Sequence, residues 1–453
     1  MFMKKKRIIN QYNYRPIVVD LFCGAGGMSE GILQAGFDIA FSSDINEQVE
    51  ATYIARHKQL GHIQGVDTYF HRGDIKELSG AFILDKIQSL KKYKGIGKIH
   101  IDAVFGGPPC QGFSRNGERK GPNDPRNFLF REYVRVISEL MPDYVVMENV
   151  EGFTDTKLEG FVGLTGKQYN GDDCLAPNLL TSELNLAGYR VLEPRILDAS
   201  DFGVPQSRHR AIFIAYREGA VAPSYPEPIL DAKNKVTVLD AIGDLMSGNN
   251  AMPPSQFARE SIRGRTPHAE TRKPIAAEAK KNNELSKLTP VVVERFSLYK
   301  QGEPTSMLRK RIIKNGINLQ NKPALLEHCA RSLGLTPQET LVRFARPPLD
   351  PEDVSILLTK KNVRTRLNAG DTSPTVVTIA DDYIHPIEDR TFSVRELARL
   401  QSFDDSFEFL GKRTTGGLRR RIEVPQYTQV GNAVPPLLAK AIAIEIMKAI
   451  ASS

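Results

Sequence analysis

Along the first half of the chain, short continuous apolar runs alternate with longer stretches whose apolar residues recur at helical spacing. Strands are predicted at 16–22, 38–43, 101–105, 143–147, 189–196 and 211–215. Most of these runs are apolar throughout, the pattern of strands covered on both faces. Helix-compatible stretches at 27–35, 47–57 and 127–140 lie between them. Such alternation predicts an α/β fold, a doubly wound and mostly parallel sheet flanked by helices. After about Arg217 the rhythm is lost, and Pro, Asn, Lys and Arg become frequent. A smaller second domain of mixed structure is expected over roughly 220–390, in keeping with a chain too long for one typical domain. A helical pattern returns at 435–450, where Leu438, Ala441, Ile442, Ile446 and Ala449 would form one buried stripe. There is no internal repeat and no low-complexity tract.

Composition narrows the class. At 41% hydrophobic and 25% charged residues the chain reads as globular. No run of eighteen apolar residues is present, so no membrane span is expected. The basic start MFMKKKRIIN leads into a charged segment instead of an apolar core, which argues against a secretory signal. The 61 Lys+Arg against 53 Asp+Glu give a formal charge of +8. That balance is compatible with a polyanionic partner without requiring one. Cys23, Cys110, Cys174 and Cys329 are far apart in the chain, with no CxxC pair. Neither a metal site nor a disulfide framework is suggested, and a reducing, cytoplasmic setting is expected.

Three segments carry candidate chemistry. VVDLFCGAGGMSEG places a glycine turn, with Gly24 and Gly26, directly after a strand and before a helix. Such a turn serves either as a tight structural corner or as a place where backbone approaches a ligand. Asp44, ending the next strand, lies near the offset at which a carboxylate takes ribose hydroxyls, and Asp74 in RGDI ends a third. Together they suggest an adenosyl ligand. VFGGPPCQGFSRNG then carries Cys110 out of a strand, behind two prolines, into a polar and basic loop. A cysteine taken alone is usually a small buried hydrophobe; this setting favours a reactive thiol. VVMENVEGF supplies Glu148 at the end of another apolar run, where a carboxyl group can donate a proton into the same crevice. FGVPQSRHRAIFI brings Arg208 and Arg210 to alternate positions, either as surface cations or as planar donors to a carbonyl or phosphate.

The elements DLFCGAGG, PPCQGFS, ENV, QSRHR, RELARLQSF and QVGNAVPP occur here in one order. In that order they resemble the DNA (cytosine-5)-methyltransferases, and the chain is similar to bacterial members of restriction–modification type. The likeness spans roughly 16–217 and 363–446. It implies a Rossmann-like methyltransferase domain over 1–220, a target-recognition domain over 221–390, and a segment over 391–453 that returns to the catalytic domain. It implies S-adenosyl-L-methionine as cofactor, contacted by Phe22, Gly24, Gly26, Asp44, Asp74, Pro109, Leu129, Asn432 and Val434. Cys110 would attack C6 of a cytosine flipped out of double-stranded DNA. Glu148 would hold N3 and the exocyclic amine, Arg210 would contact O2, and Arg208 would support the active loop. No side chain stands out as base for the C5 proton, which leaves water. Ser114 belongs to a loop expected to close over the DNA, with Arg115, Arg119 and Lys120 as phosphate contacts. A monomer is expected, with a cognate restriction endonuclease as functional partner.

Some features depart from the family pattern. Asp44 stands where many relatives carry Glu, an extra stretch follows ENV at about 154–176, and the variable region is long. The added segments are expected to extend DNA contacts or to mediate assembly. The basic run at 280–314 reads equally well as a DNA surface or as a solvated helix face. Two rival functions share part of the pattern. A tRNA cytosine-5 methyltransferase would carry a Cys-Phe-Thr tripeptide and a short variable region, and neither is present. An inactive DNA-binding homologue would have lost Cys110, Glu148 or Arg210.

Overall fold

The run IVVDL forms β1 (Ile17–Leu21) and is buried at every position. It is covered because β2 (Asp38–Asp44) and β4 (Ala103–Gly106) pair with it in parallel on either side, the latter after β3 (Tyr69–Arg72) in sequence. The structure is a computed structural model and describes residues 15–109, 129–358, 364–415, 419 and 423–453. With β5 (Tyr144–Val150) the parallel strands run in the order β3-β2-β1-β4-β5. Strand order therefore reverses between β1 and β4, and a ligand crevice is expected beyond their carboxyl ends.

After β5 the stretch 154–176 forms a small hairpin, β6 (Phe161–Val162) with β7 (Gln168–Tyr169). Its Leu158, Phe161, Tyr169 and Cys174 are buried in the main core, and Phe161 stacks on Phe130 at 4.8 Å. This stretch thus packs into the main core. The apolar run at 189–196 forms two strands, β8 (Tyr189–Val191) and β9 (Arg195–Asp198). Pro194 lies between them and has no N–H to offer a ladder. Both pair antiparallel with β10 (His209–Arg217), which also runs antiparallel to β5. β3 escapes the apolar-run pattern because YFHR is short and only half buried.

Helices cover both faces. α1 (Gly27–Gln34) and α2 (Glu47–Gln59) follow β1 and β2. α3 (Gly80–Ser89), α4 (Leu129–Leu140) and α5 (Ala176–Leu186) pack on one side of the sheet through Ile83, Ile87, Val134, Ile137 and Leu180. The region beyond β10 is mainly helical. α6 (Val238–Ile242) and α7 (Gln256–Arg263) come first. α8 (Pro290–Phe296), α9 (Thr305–Asn315), α10 (Pro323–Leu333), α11 (Pro337–Ala345) and α12 (Pro351–Leu357) then build a core of their own. A short parallel pair, β11 (Thr365–Arg366) with β12 (Tyr383–Ile384), closes that unit, Ile384 being buried in it. α13 (Val394–Leu400) and α14 (Gln426–Asn432) share a third core with α6 and α7.

The terminal helix α15 (Pro436–Ala451) packs on α1, with Leu438, Ile442, Ile446 and Ala449 of the anticipated stripe buried and Ala441 only partly so. The glycines of α1 make this possible. A Cβ on Gly31 would sit 2.5 Å from the Pro436 carbonyl oxygen and from the Lys440 nitrogen, and one on Gly27 would sit 2.3 Å from the Val434 carbonyl. Among the described residues, no helix is long and apolar enough to cross a membrane.

Candidate active site

Leaving β1, the chain turns sharply through Phe22 (φ 56°) and Gly24 (φ 54°), both in the left-handed region. The Gly24 amide donates to Asp44 Oδ2 at 3.1 Å, while Asp44 Oδ1 accepts from the Asn46 amide at 2.9 Å. Asp44 therefore ties the first loop to the end of β2. Burial pushes its carboxyl up from the ordinary range. A Cβ on Gly24 would meet nothing within 4 Å, so this backbone is open to a ligand. Gly26 differs. It stands off the cleft as the left-handed N-cap of α1, and a Cβ there would press on the Tyr53 ring at 3.2 Å. Its glycine serves the turn and the packing beneath it.

Beyond the ends of β1, β2, β4 and β5 lies a cleft of about 770 Å³. Phe22, Gly24, Asp44, Asp74, Pro109 and Leu129 line it, and so do Glu148, Arg208, Arg210, Asn432 and Val434. The fold thus brings eleven of the anticipated residues to one place, including the pair from the far C-terminus. Asp74 also caps the turn at 75–77, accepting from the Lys76 amide at 3.0 Å. Cys110, Ser114, Arg115, Arg119 and Lys120 lie outside the described residues. Pro109, the residue before Cys110, is exposed on the cleft wall.

Two strand ends are locked together at the floor. Arg210 Nε lies 2.7 Å from Glu148 Oε1, with the side chains only 10% and 12% exposed. A nearly dry ion pair of this kind fixes both groups, because separating them strands a charge. Asn149 Nδ2 donates to the Pro108 carbonyl at 3.3 Å, joining the end of β5 to the segment before Cys110. A Cβ on Gly107 would come within 3.2 Å of Glu148 Oε2, so the glycine leaves room for the carboxylate. Arg208 points elsewhere. Its guanidinium donates to the Gly431 carbonyl at 3.1 Å and the Val376 carbonyl at 3.4 Å, both in the cleft wall. It is a strut between β10 and the returning segments.

Asp20 was not singled out from sequence, yet it lines the cleft and is fully buried. Its Oδ2 accepts from the Ser29 hydroxyl, while Oδ1 has no partner. Burial, opposed by the Ser29 hydrogen bond, pushes its carboxyl up to about 7. The available signal was an acid in the middle of the apolar run IVVDL, where a charge is costly unless it meets something. Nearby Cys23 is a buried thiol pushed well up by burial and by the Asp20 and Asp44 carboxylates. Cys174 and Cys329 are shifted upward as well. Such thiols are poor nucleophiles.

Comparison with known proteins identifies the family. A family model, C-5 cytosine-specific DNA methylase, matches residues 17–448. The Type II methyltransferase M.XorII of Xanthomonas oryzae is 33% identical over 442 residues, covering 96% of this chain and 85% of its own. M.DdeI of Desulfomicrobium norvegicum is 30% identical, covering 95% and 88%. The fold is also that of a prophage-encoded E. coli protein described as a DNA modification methyltransferase, at a TM-score of 0.61 and 22% identity over 96% of this chain. The chain belongs to the C-5 cytosine-specific DNA methylases and is a DNA (cytosine-5)-methyltransferase of restriction–modification type.

Proposed function

We propose that the cleft binds S-adenosyl-L-methionine and admits a cytosine flipped out of duplex DNA, which is methylated at C5 through a transient bond to Cys110. The Glu148–Arg210 pair carries this reading, because it sets an acid and a planar cation beside the segment that leads into Cys110. Flipping costs a few kcal/mol and is needed because a stacked base hides its ring face.

The cofactor fits the residues present. The bare Gly24 backbone admits a ligand, Asp44 and Asp74 keep free lone pairs for ribose and adenine, and Asp20 Oδ1 awaits a cationic partner. Phe22, Pro109, Leu129, Asn432 and Val434 would complete the pocket. When bound, the cofactor supplies a methyl group on a positively charged sulfur.

The chain's own groups prepare the acceptor. Cys110, as thiolate, forms a bond to C6 and breaks the C5–C6 π bond. Glu148 takes up a proton from solvent as the base enters and shares it with N3, so the displaced electron pair comes to rest at C5, now a carbon nucleophile. Arg210 holds Glu148 through Nε and the His209 carbonyl through Nη1, which leaves Nη2 to donate to O2. After C5 is methylated, water removes the C5 proton, and the freed electrons restore the double bond and expel the thiolate. Ser114, Arg115, Arg119 and Lys120 would close over the DNA. Residues 1–220 and 391–453 would supply the chemistry and 221–390 the choice of site. One chain carries every group used, so a monomer in the cytoplasm suffices, its functional partner an endonuclease cutting the same unmethylated site.

The test is transfer of labelled methyl to duplex DNA followed by base analysis. Label in 5-methylcytosine is expected; label at N4 of cytosine, at N6 of adenine, or on RNA alone would sink the proposal.

A further inference from the structure

The variable region holds a feature that the chemistry above leaves unused. α10 ends at Gly334, in the left-handed region with φ 68° and ψ 29°. Leu335 follows, and Thr336 opens α11 through a capping box with Glu339, with a proline at the start of the helix. Two helices joined by a three-residue turn that begins with glycine have the connection of a helix-turn-helix. We infer that α10 and α11 are a DNA-reading helix-turn-helix, with α11 entering the major groove beside the flipped cytosine. This inference rests on the duplex-DNA reading of the cleft.

The two helices are used differently. α10 is anchored by Leu325 and Cys329, both fully buried in the α8–α12 core. α11 packs on that core through Phe344 and the half-buried Leu341, with Thr340 buried as well, and leaves most of its other residues exposed. Along the open side, the exposed Gln338 and Val342 fall at i and i+4, followed past the helix end by the exposed C-cap residue Arg346, whose backbone is extended. Arg343, by contrast, is held by Asp353 at 2.6 Å, and Arg331 by Glu327 at 2.8 Å. Those three exposed residues offer a carboxamide that can pair with adenine, methyl groups that can meet the thymine methyl, and a guanidinium suited to guanine or phosphate. α9 adds Lys310 and Lys314, both exposed, as cations for the backbone.

Position favours duplex DNA as the occupant. Ile384 of β12 is buried in the same helical core, and its neighbour Tyr383 donates to the Thr375 carbonyl at 2.8 Å. Thr375 lines the cleft. The helical unit is therefore fastened to the wall of the site that takes the base, where a duplex giving up a cytosine would pass.

The test uses the full chain and a triple variant, Gln338→Ala with Val342→Ala and Arg346→Ala. Each is given a library of duplexes with randomised positions. Bound duplexes are selected by filter binding, and methylated ones are mapped by bisulfite sequencing. The variant should lose discrimination at one or more base pairs of the wild-type motif, by about tenfold per lost contact. Because all three side chains are exposed, its melting temperature should stay within about 2 °C of wild type. An unchanged motif in the variant, whatever its affinity, overturns the helix-turn-helix and leaves the methyltransferase reading intact. A wild-type motif in the bound pool with no methylated cytosine overturns that reading instead, while loss of the bound motif in the variant still supports α11.

Discussion

Glu148 and Arg210 face each other from adjacent antiparallel strands, β5 and β10, with Oε1 and Nε 2.7 Å apart. Their strands are long and buried, so the pair is placed by the sheet instead of by a loop. A group that shares a proton with the reacting base contributes about 10²- to 10⁴-fold in rate. Glu148→Gln should therefore lower kcat by about 10²-fold or more. It also leaves Arg210 without its anion, which should cost about 2 kcal/mol of stability. Single-turnover kinetics and urea denaturation read the two effects separately. A variant within about tenfold of wild type in kcat would remove Glu148 from the chemistry.

Asp20 gives the cofactor step a pH dependence. Its carboxyl is raised from 3.8 to about 7, mainly by burial. In the free protein this acid favours its protonated form. Its contribution to stability is therefore present below the unfolded value near 3.8 and is lost as pH rises through 7. A cationic ligand has the opposite preference and favours the carboxylate. Cofactor affinity should rise by up to about tenfold between about pH 6 and pH 8, with a proton released on binding. Asp20→Asn should weaken binding and flatten the curve. Calorimetry in buffers of different ionisation enthalpy measures both the affinity and the proton. A wild-type Kd that does not change with pH would show that Asp20 meets no cation.

The contact between α1 and α15 links stability to the cofactor pocket. A methyl group on Gly31 would lie 2.5 Å from backbone atoms of Pro436 and Lys440, which cannot swing aside as a side chain would. Gly31→Ala should destabilise the protein by about 1–3 kcal/mol. It should also weaken cofactor binding, because Asn432 and Val434 reach the cleft from the segment just before α15. Denaturation midpoints and cofactor titration of the variant check this, and a change in neither would mean that the helices separate without cost.

Arg399, in the RELARLQSF element, is fully buried and bridges Asp405 at 2.6 Å and Asp244 at 3.0 Å. It clamps α13 to the turn after α6. Replacing it by methionine leaves two buried carboxylates unpaired and should cost about 3–5 kcal/mol. The measurement is equilibrium unfolding; a loss under about 1 kcal/mol would mean that the two acids find other partners or take up protons.

Much of the catalytic half is legible in the sequence because a parallel sheet covered on both faces writes itself as apolar runs. β1, β2 and β4 lie within a residue or two of the predicted runs, and β5 runs three residues further, through Val150. The break between β8 and β9 is marked by Pro194 and was readable in hindsight. β3 was not, since half-buried YFHR carries no apolar run. At the site, Glu148, Arg210, Asp44 and Asp74 announce themselves as polar residues at strand ends. Gly26 and Asp20 show the limit. A glycine that serves packing looks like one that serves a ligand, and an acid inside a strand is masked by its neighbours. The helical unit of α8–α12 is hidden for another reason. Its helices are short and capped by Thr, Asp and Pro, so Pro-rich sequence that reads as loop is in fact a series of helix starts.

The proposed chemistry turns on a bond from Cys110 to C6 of the target cytosine. Duplex DNA carrying 5-fluorocytosine tests it most directly, because fluorine cannot leave as a proton and the adduct should persist. With S-adenosyl-L-methionine present, wild type should give a denaturation-resistant complex whose peptide map places the bond at Cys110, and Cys110→Ser should give none. An adduct that forms undiminished in Cys110→Ser, or that maps to Cys23, would contradict the account.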